Sequence, residues 1–562
     1  GKLSIMFKFL SVLLFVSAVA KPVQRATDLF ELSVLHINDF HARFEETNDS
    51  GGTCKETDVC IGGFSRLYKE LRTILDGKPD AVLLNGGDNF QGTLWYTVGK
   101  WNVTQQFLNK LPFDATVLGN HEFDDKIAGV VPFLESLNHP VVASNIDDSL
   151  EPTIQGLYNK STVIERNGKK IGIIGVILHN CNEIASTGDL KFYMESPSVN
   201  EEAERLVREE GVFTNIVVSH SGYETEIEIA KNASEKISLI VGGHSHSFLY
   251  TGDDSPGPDT PQGPYPTIVT SKNGKTVLVT QASAYCKYLG NITVFLDEDG
   301  EIADYSGAPI FLSNDYPQDE EINQEMQPWK DVIDVLGEQV IGSTLVTLSR
   351  SNCRYAECTL GDFVTDAMVY SWMDEAEEGS WTYAAIGIMN SGGLRTDIQV
   401  GDITYADMVT AQPFENTFDV GELQGIYIKE LLEYNTLPYS YGRVYVSLKL
   451  MQFSGIQVVM NLTQPQGERV QSVKVRCQAC MVPVYEDLDE NKMYRIVVPS
   501  FITTGGDGYT IISDNLQNLK VGSVDIDVFV KYLSEKSPVY QEEEGRITIY
   551  GQETIVMKNL DS

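Results

Sequence analysis

The chain has 562 residues, more than one hydrophobic core usually spans, and its 42% hydrophobic and 22% charged content is that of a globular protein. A formal charge of −37 at pH 7 excludes nucleic-acid binding through a general electrostatic field. An anionic ligand must therefore be attracted locally, by metal ions or by particular arginines.

Residues 1–20 combine Lys8, an apolar stretch over 9–16 and the small-residue run Ala18-Val19-Ala20, the three regions of a secretory signal peptide. The stretch is too short for an ordinary transmembrane span. Its removal would leave the charge at about −39, since it carries Lys2 and Lys8. Residues 28–317 alternate strand-like and helix-like patterns, which predicts an α/β layered domain.

Inside that domain four clusters each follow an apolar, β-branched run: His36-Ile37-Asn38-Asp39-Phe40-His41, Gly86-Gly87-Asp88, Gly119-Asn120-His121-Glu122-Phe123-Asp124 and Gly243-His244-Ser245-His246. The runs are 32–35, 81–84, 116–118 and 239–241, and a fifth, 216–218, stops at Ser219-His220. Such runs read as strands of a sheet covered by helices on both sides, where ligands collect at the carboxyl ends. One sheet edge would then gather Asp39, His41, Asp88, Asn120, His220, His244 and His246, too many ligands for one zinc and about right for two.

A single histidine or aspartate at a strand end is more often a cap or a turn residue. Five repetitions outweigh that reading, and five of the eight histidines, His41, His121, His220, His244 and His246, are candidates from these strand ends. His36, His139 and His179 are left as structural residues.

Further along, 252–266 holds five prolines and reads as a long surface loop. Residues 318–338 place Ile322, Met326, Trp329, Val332, Ile333 and Leu336 at helical spacing, predicting a helix that links two domains. Residues 339–548 mix strands and helices and form the second domain. The chain closes on polar residues, 558–562, with no apolar tail, so neither a membrane nor a lipid anchor is expected.

Eight cysteines include three short spacings, Cys54 to Cys60, Cys353 to Cys358 and Cys477 to Cys480, which read as disulfide loops in an oxidising compartment. Cys477 could also belong to a redox or zinc Cys-x-x-Cys motif. Cys181 and Cys286 are left and are expected to pair. Six Asn-x-Ser/Thr sequons, at Asn48, Asn102, Asn159, Asn232, Asn291 and Asn461, suit an extracellular glycoprotein.

The four clusters together resemble the 5′-nucleotidase family of metallophosphoesterases, which includes ecto-5′-nucleotidase, the bacterial UDP-sugar hydrolase and the salivary apyrases of blood-feeding arthropods. The second half adds Cys353-Arg354, Asn390-Ser391-Gly392-Gly393-Leu394-Arg395, Gln412-Pro413-Phe414 and Phe501-Ile502-Thr503-Thr504-Gly505-Gly506-Asp507. The resemblance implies a four-layer α/β metallophosphoesterase domain, a linking helix and an α+β nucleotide-binding domain. It implies one divalent metal ion on Asp39, His41 and His246, a second on Asn120, His220 and His244, and Asp88 between them. Zinc leads, with calcium, magnesium or manganese as alternatives.

His121 and Asp124 would be the catalytic pair. Arg354, Asn390 and Arg395 would hold the substrate, with Asp507 beside them and Phe414 and Phe501 on the two faces of the base. Ser391 stands where the resemblance leads one to expect glycine.

The chemistry of these residues agrees. A phosphate ester resists water because charge on the attacking and leaving oxygens is poorly stabilised, and two cations sharing a carboxylate meet both needs. An imidazolium at His121, oriented by Asp124, would neutralise charge developing on the phosphoryl group.

The expected activity is hydrolysis of extracellular ATP and ADP, extending to AMP, by a secreted apyrase-like enzyme with an anti-platelet role in blood feeding. The alternatives are a strict AMP-specific 5′-nucleotidase, a UDP-sugar or cyclic-nucleotide phosphoesterase, and a non-enzymatic protein that blocks platelet receptors. The complete ligand set and the lack of an Arg-Gly-Asp tripeptide argue against the last.

Overall fold

The computed structural model describes residues 29–55, 58–234, 236–440 and 446–552. The leader-like segment 1–20 and the polar close 558–562 lie outside the described residues.

The first domain is built on two sheets. One runs Ile302–Gly307, Tyr288–Leu296, Phe30–Ile37, Val82–Asn85, Ala115–Val117 and Val141–Val142, with parallel pairing from Phe30–Ile37 through to Val141–Val142. The other runs Thr267–Thr270, Thr276–Thr280, Ile237–Val241, Thr214–His220, Lys169–Ile177 and Ser161–Arg166. Its four middle strands are parallel.

The sheets pack face to face. Leu32, Val34, Val82, Leu84, Ala115 and Val117 of the first meet Ile171, Ile173, Ile216, Val218, Leu239 and Val241 of the second in one apolar core. Helices Phe64–Gly77, Leu94–Leu108 and Lys126–Ser136 cover the outer face of the first sheet, and Glu195–Arg205 and Tyr223–Asn232 that of the second.

This is the four-layer arrangement that the resemblance implies, and it corrects only the reading of the apolar runs as a single sheet with helices on both sides. A strand facing a second sheet is as apolar as one facing a helix, so the run of residues is the same in either case.

The predicted linker is the helix Glu320–Gly337, capped by the Asp319 carboxylate, which accepts from Glu321 N (3.1 Å) and Ile322 N (3.2 Å). Ile322, Met326 and Ile333 are buried against the first domain, whereas Val332 is 58% exposed. Trp329 donates its indole N–H to Gln106 (3.0 Å), and Gly337 at the far end lies against Leu94 of the first domain and Ala406 of the second.

The second domain carries a sheet of Met451–Ser454, Ile386–Asn390, Met493–Pro499, Phe418–Gln424 and Gln517–Lys520, and a smaller one of Tyr485–Asp487, Val470–Arg476, Ile456–Asn461 and Ile547–Tyr550. Helices such as Thr359–Tyr370 and Asp525–Lys536 pack on them. No helix among the described residues is long and apolar enough to cross a membrane.

The three short disulfides form as expected, Cys477–Cys480 included. Cys181 and Cys286 do not pair; both thiols are free and buried. Cys181 opens a short helix beyond a strand of the second sheet, with Asp88, Glu122 and Asp124 as its charged neighbours. Cys286 precedes a strand of the first sheet, with Arg66 nearby and its carbonyl against Gly62. Burial pushes the Cys286 thiol up to about 12, so it packs as an apolar group.

Candidate active site

Every predicted ligand sits where a buried strand stops. Asp39 and His41 follow Phe30–Ile37, Asp88 follows Val82–Asn85, and Asn120 follows Ala115–Val117, all on the first sheet. His220 ends Thr214–His220, and His244 and His246 follow Ile237–Val241, on the second. The ligands thus come from two sheet rims that converge.

Within the first rim Asp39 N donates to Gly87 O (3.0 Å) and His41 N to Asp88 O (3.0 Å), and His244 N joins the second rim to it by donating to Asp39 Oδ1 (3.0 Å). A Cβ at Gly119 would lie 2.2 Å from Asp88 Oδ1, which is why glycine is required there. Five of the seven residues, Asp39, His41, Asp88, His244 and His246, are non-glycines with left-handed φ of 49–73°. Backbone held so far from its preference is typical of sites where geometry serves function.

Donor atoms of Asp39, His41 and His246 cluster within 4.8 Å of one another, as do those of Asp88, His220 and His244. Asn120 Oδ1 adds a donor to the second group, 2.8 Å from His244 Nδ1 and 3.3 Å from His220 Nε2. Asp88 Oδ2 faces both groups, 3.0 Å from His220 Nε2 and 3.8 Å from His41 Nε2.

The tautomers fit cations. His220 Nδ1–H donates to Gly86 O (2.7 Å) and His41 Nδ1–H to Phe90 O (3.2 Å), which aims each Nε2 inward, and a backbone carbonyl is the usual outer partner of a metal-binding histidine. The Nε2 atoms of His41 and His246 face each other at 3.1 Å, close enough to share one cation.

Electrostatics agree with that fit. Burial holds the His41 imidazole well below its ordinary range and His244 down to about 3, leaving both neutral. At His220 burial is outweighed by Asp88, which lifts it to about 10, so without a cation Nε2 also carries a proton, in the place a cation would take. Burial pushes the Asp88 carboxyl up, but the His220, His121 and His41 rings outweigh it and hold Asp88 well below the usual carboxylate range.

His121 is placed differently. Its backbone N donates to Asp88 Oδ1 (2.9 Å), and its Nδ1 meets Asp124 Oδ2 at 2.8 Å. Burial pulls the ring down while Asp124 and Asp88 lift it, and the net direction is upward.

The second-domain residues line the same cavity of about 780 Å³, together with Asp88, Asn120, His121, Asp124, His244 and His246. Asn390 ends a strand and donates to Asp507 Oδ2 (2.7 Å). The Phe414 ring lies 5.7 Å from that of His121 at 23°, and the Arg395 guanidinium 5.6 Å from the Phe414 centroid. Arg354 sits in the tight Cys353–Cys358 loop and also lines the cavity. Phe501 lines it too, and a Cβ at Gly506 would lie 2.5 Å from the Phe501 ring, so glycine makes room for it. Ser391, the departure from the expected glycine, is buried with its hydroxyl on Cys353 O (2.6 Å), tying the two loops together.

Several contributors escape the sequence reading. Glu122 is fully buried, and its carboxylate takes the N–H groups of Asp88 (3.0 Å), Asn89 (2.7 Å) and Gly119 (2.6 Å), fixing two ligand loops at once. Its place inside the Asn120 cluster was the available signal. Glu226 and Gln281 support the His244 loop: Glu226 accepts from Gly243 N (3.1 Å) and from Gln281 Nε2 (2.7 Å), and Gln281 Oε1 accepts from Ser247 N (3.0 Å). Arg350 is a third arginine in the cavity.

The family described as calcineurin-like phosphoesterase matches residues 32–248, and the one described as 5′-nucleotidase, C-terminal domain matches residues 340–514. The chain is 46% identical to an apyrase of Tabanus yao over 92% of its own length and 94% of that protein's. It is 35% identical to an apyrase of Aedes aegypti, covering 96% and 97%, and 35% identical to a 5′-nucleotidase of Rattus norvegicus, covering 95% and 93%. The crystal structure of a 5′-nucleotidase precursor from Thermus thermophilus superposes with a TM-score of 0.85 at 30% identity, covering 93% of this chain and 100% of that one. The chain belongs to the 5′-nucleotidase family of two-domain metallophosphoesterases and is a metal-dependent nucleotide phosphohydrolase.

Proposed function

We propose that the enzyme hydrolyses ADP and ATP outside the cell, at least as efficiently as AMP, using two divalent cations. Asp39, His41 and His246 would hold one, Asn120, His220 and His244 the other, with Asp88 shared. The nitrogen-rich donor set suits zinc, while calcium, magnesium or manganese would prefer more oxygen ligands. Bound there, the pair supplies Lewis acidity at the phosphoryl group.

The chain's own groups do the rest. His121, held by Asp124 as an imidazolium, offers positive charge to the phosphoryl oxygens as they gain charge. Arg354, Arg395 and Arg350 present planar forks to the phosphates. Asp507, fixed by Asn390 on one oxygen, offers the other to a sugar hydroxyl. Phe414 and Phe501 take the two faces of the base, a grip that needs no hydrogen-bond match.

One observation carries the reading: a single cavity is lined by Asp88, Asn120, His244 and His246 of the convergent donors, by the three arginines and by the two phenyl rings. The preference for ADP and ATP is supported by the 46% identity to a protein named apyrase. Secretion is supported by the leader-like residues 1–20 and by the three disulfides. Removal of ADP, a platelet agonist, suits an anti-platelet role in blood feeding.

The test is kcat/KM for ATP, ADP, AMP and UDP-glucose measured side by side. ADP and ATP should match or exceed AMP. Strict AMP hydrolysis, with ADP acting only as an inhibitor, would establish a 5′-nucleotidase instead.

A further inference from the structure

Helix Leu94–Leu108 has one residue out of helical geometry, Lys100, at φ 48° and ψ −145°. A non-glycine residue persists there only when its surroundings require it. Its ammonium lies 3.1 Å from Glu415 Oε2, in the second domain, and 3.5 Å from Asp125 Oδ1, in the first. Glu415 is itself left-handed, at φ 54°. Asp125 accepts from the Tyr96 hydroxyl (2.8 Å), and the Tyr96 ring faces the same ammonium at 5.2 Å. The lysine is thus aimed by an aromatic face and a carboxylate of its own domain at a carboxylate of the other.

The neighbours give this contact its meaning. Glu415 follows Phe414 and Asp125 follows Asp124, and the Phe414 and His121 rings lie 5.7 Å apart. The ion pair therefore sits directly behind the point where the second domain meets the His121–Asp124 pair. Neither Lys100 nor Glu415 lines the cavity, so their influence on substrate is indirect, through neighbours such as Phe414 that do.

We propose that Lys100 and Glu415 are positioning residues that latch the two domains, holding Phe414 against the His121–Asp124 pair while a nucleotide is bound. This rests on Phe414 being one face of the base clamp. The two side chains are 33% and 46% exposed, so the pair is weak, screened by salt and able to open in each turnover. A substrate that needs the clamp and the catalytic pair together depends on the latch. One without a base does not.

The test is steady-state kinetics on ADP and on p-nitrophenyl phosphate for the wild type, Lys100→Ala, Glu415→Ala, the charge-swapped double variant Lys100→Glu with Glu415→Lys, and Phe414→Ala. Each single latch variant should raise KM for ADP roughly two- to tenfold and leave the aryl phosphate unchanged. The double variant should regain most of that loss, because the introduced ammonium would face both the introduced carboxylate and Asp125. Added salt should raise the wild-type KM for ADP and affect the single variants less.

An unchanged KM for ADP, an equal loss on both substrates, or a double variant no better than the singles overturns the latch. If Phe414→Ala harms ADP and aryl phosphate alike, the clamp reading falls and the latch with it. If Phe414→Ala separates the substrates and Lys100→Ala does not, only the latch falls.

Discussion

His121 differs from the ligand histidines His41 and His220 in the partner of its Nδ1. Theirs are backbone carbonyls, which turn Nε2 toward the proposed metal site; its partner is the Asp124 carboxylate, which favours an imidazolium. His121→Ala should lower kcat by on the order of 10²–10⁴-fold with metal content and Tm nearly unchanged, and a parallel fall in Tm would mark a packing role instead. Burial lowers the His121 pKa and Asp124 raises it, so Asp124→Asn should bring it down. Activity that needs the imidazolium is lost as pH rises through that pKa, and the alkaline limb of kcat should therefore move to lower pH in Asp124→Asn. An unmoved limb would assign it to another group. Phe414→Ala and Phe501→Ala should each weaken nucleotide binding by about 1–3 kcal/mol, while hydrolysis of an aryl phosphate changes far less. Equal damage to both substrates would show that the rings only support the fold.

At the scale of elements, the ligand loops are held by carboxylates and amides that touch no substrate. Glu226 and Gln281 bond to one another and to the backbone of the His244 loop, whose left-handed φ values need such support. Gln281→Ala should raise the metal concentration needed for half-maximal occupancy by about 10–100-fold, read by titration calorimetry of metal-free protein. Unchanged affinity would mean that the loop holds its own shape. These supports were not legible in the sequence. Glu226 looks like any polar residue of an amphipathic helix, and Gln281 lies well beyond the motif it serves. The convergence of the seven proposed ligands was legible because each ends or follows an apolar strand as a histidine, aspartate or asparagine. Their origin on two sheets was not, since a strand buried under a helix and one buried under a sheet have the same composition. The pairing of Cys181 with Cys286 failed for a related reason: an even count carries no geometry, and the two thiols have different neighbours.

Across the whole molecule, two domains meet at one cavity in a chain whose net charge of −37 repels its own substrate at long range. Attraction therefore falls to cations and to the basic groups gathered at the cavity, the three arginines with Lys126, Lys287 and Lys449. The two-domain plan and its helical connector followed from composition shifts and from apolar spacing at Ile322, Met326 and Ile333. The closeness of Phe414 to His121 did not, because it depends on how the domains sit and on no local pattern. Everything proposed for the cavity depends on Asp88 bringing two cations together. Metal content and phosphate release from ADP should be measured on the same preparations of the wild type and Asp88→Ala, before and after chelation and stepwise metal return. Two equivalents per chain are expected in the wild type, with turnover abolished by chelation and restored as the second equivalent binds, and neither full occupancy nor turnover in Asp88→Ala. Near-normal turnover with two metals retained in Asp88→Ala, or turnover in the metal-free wild type, would contradict the shared-carboxylate centre.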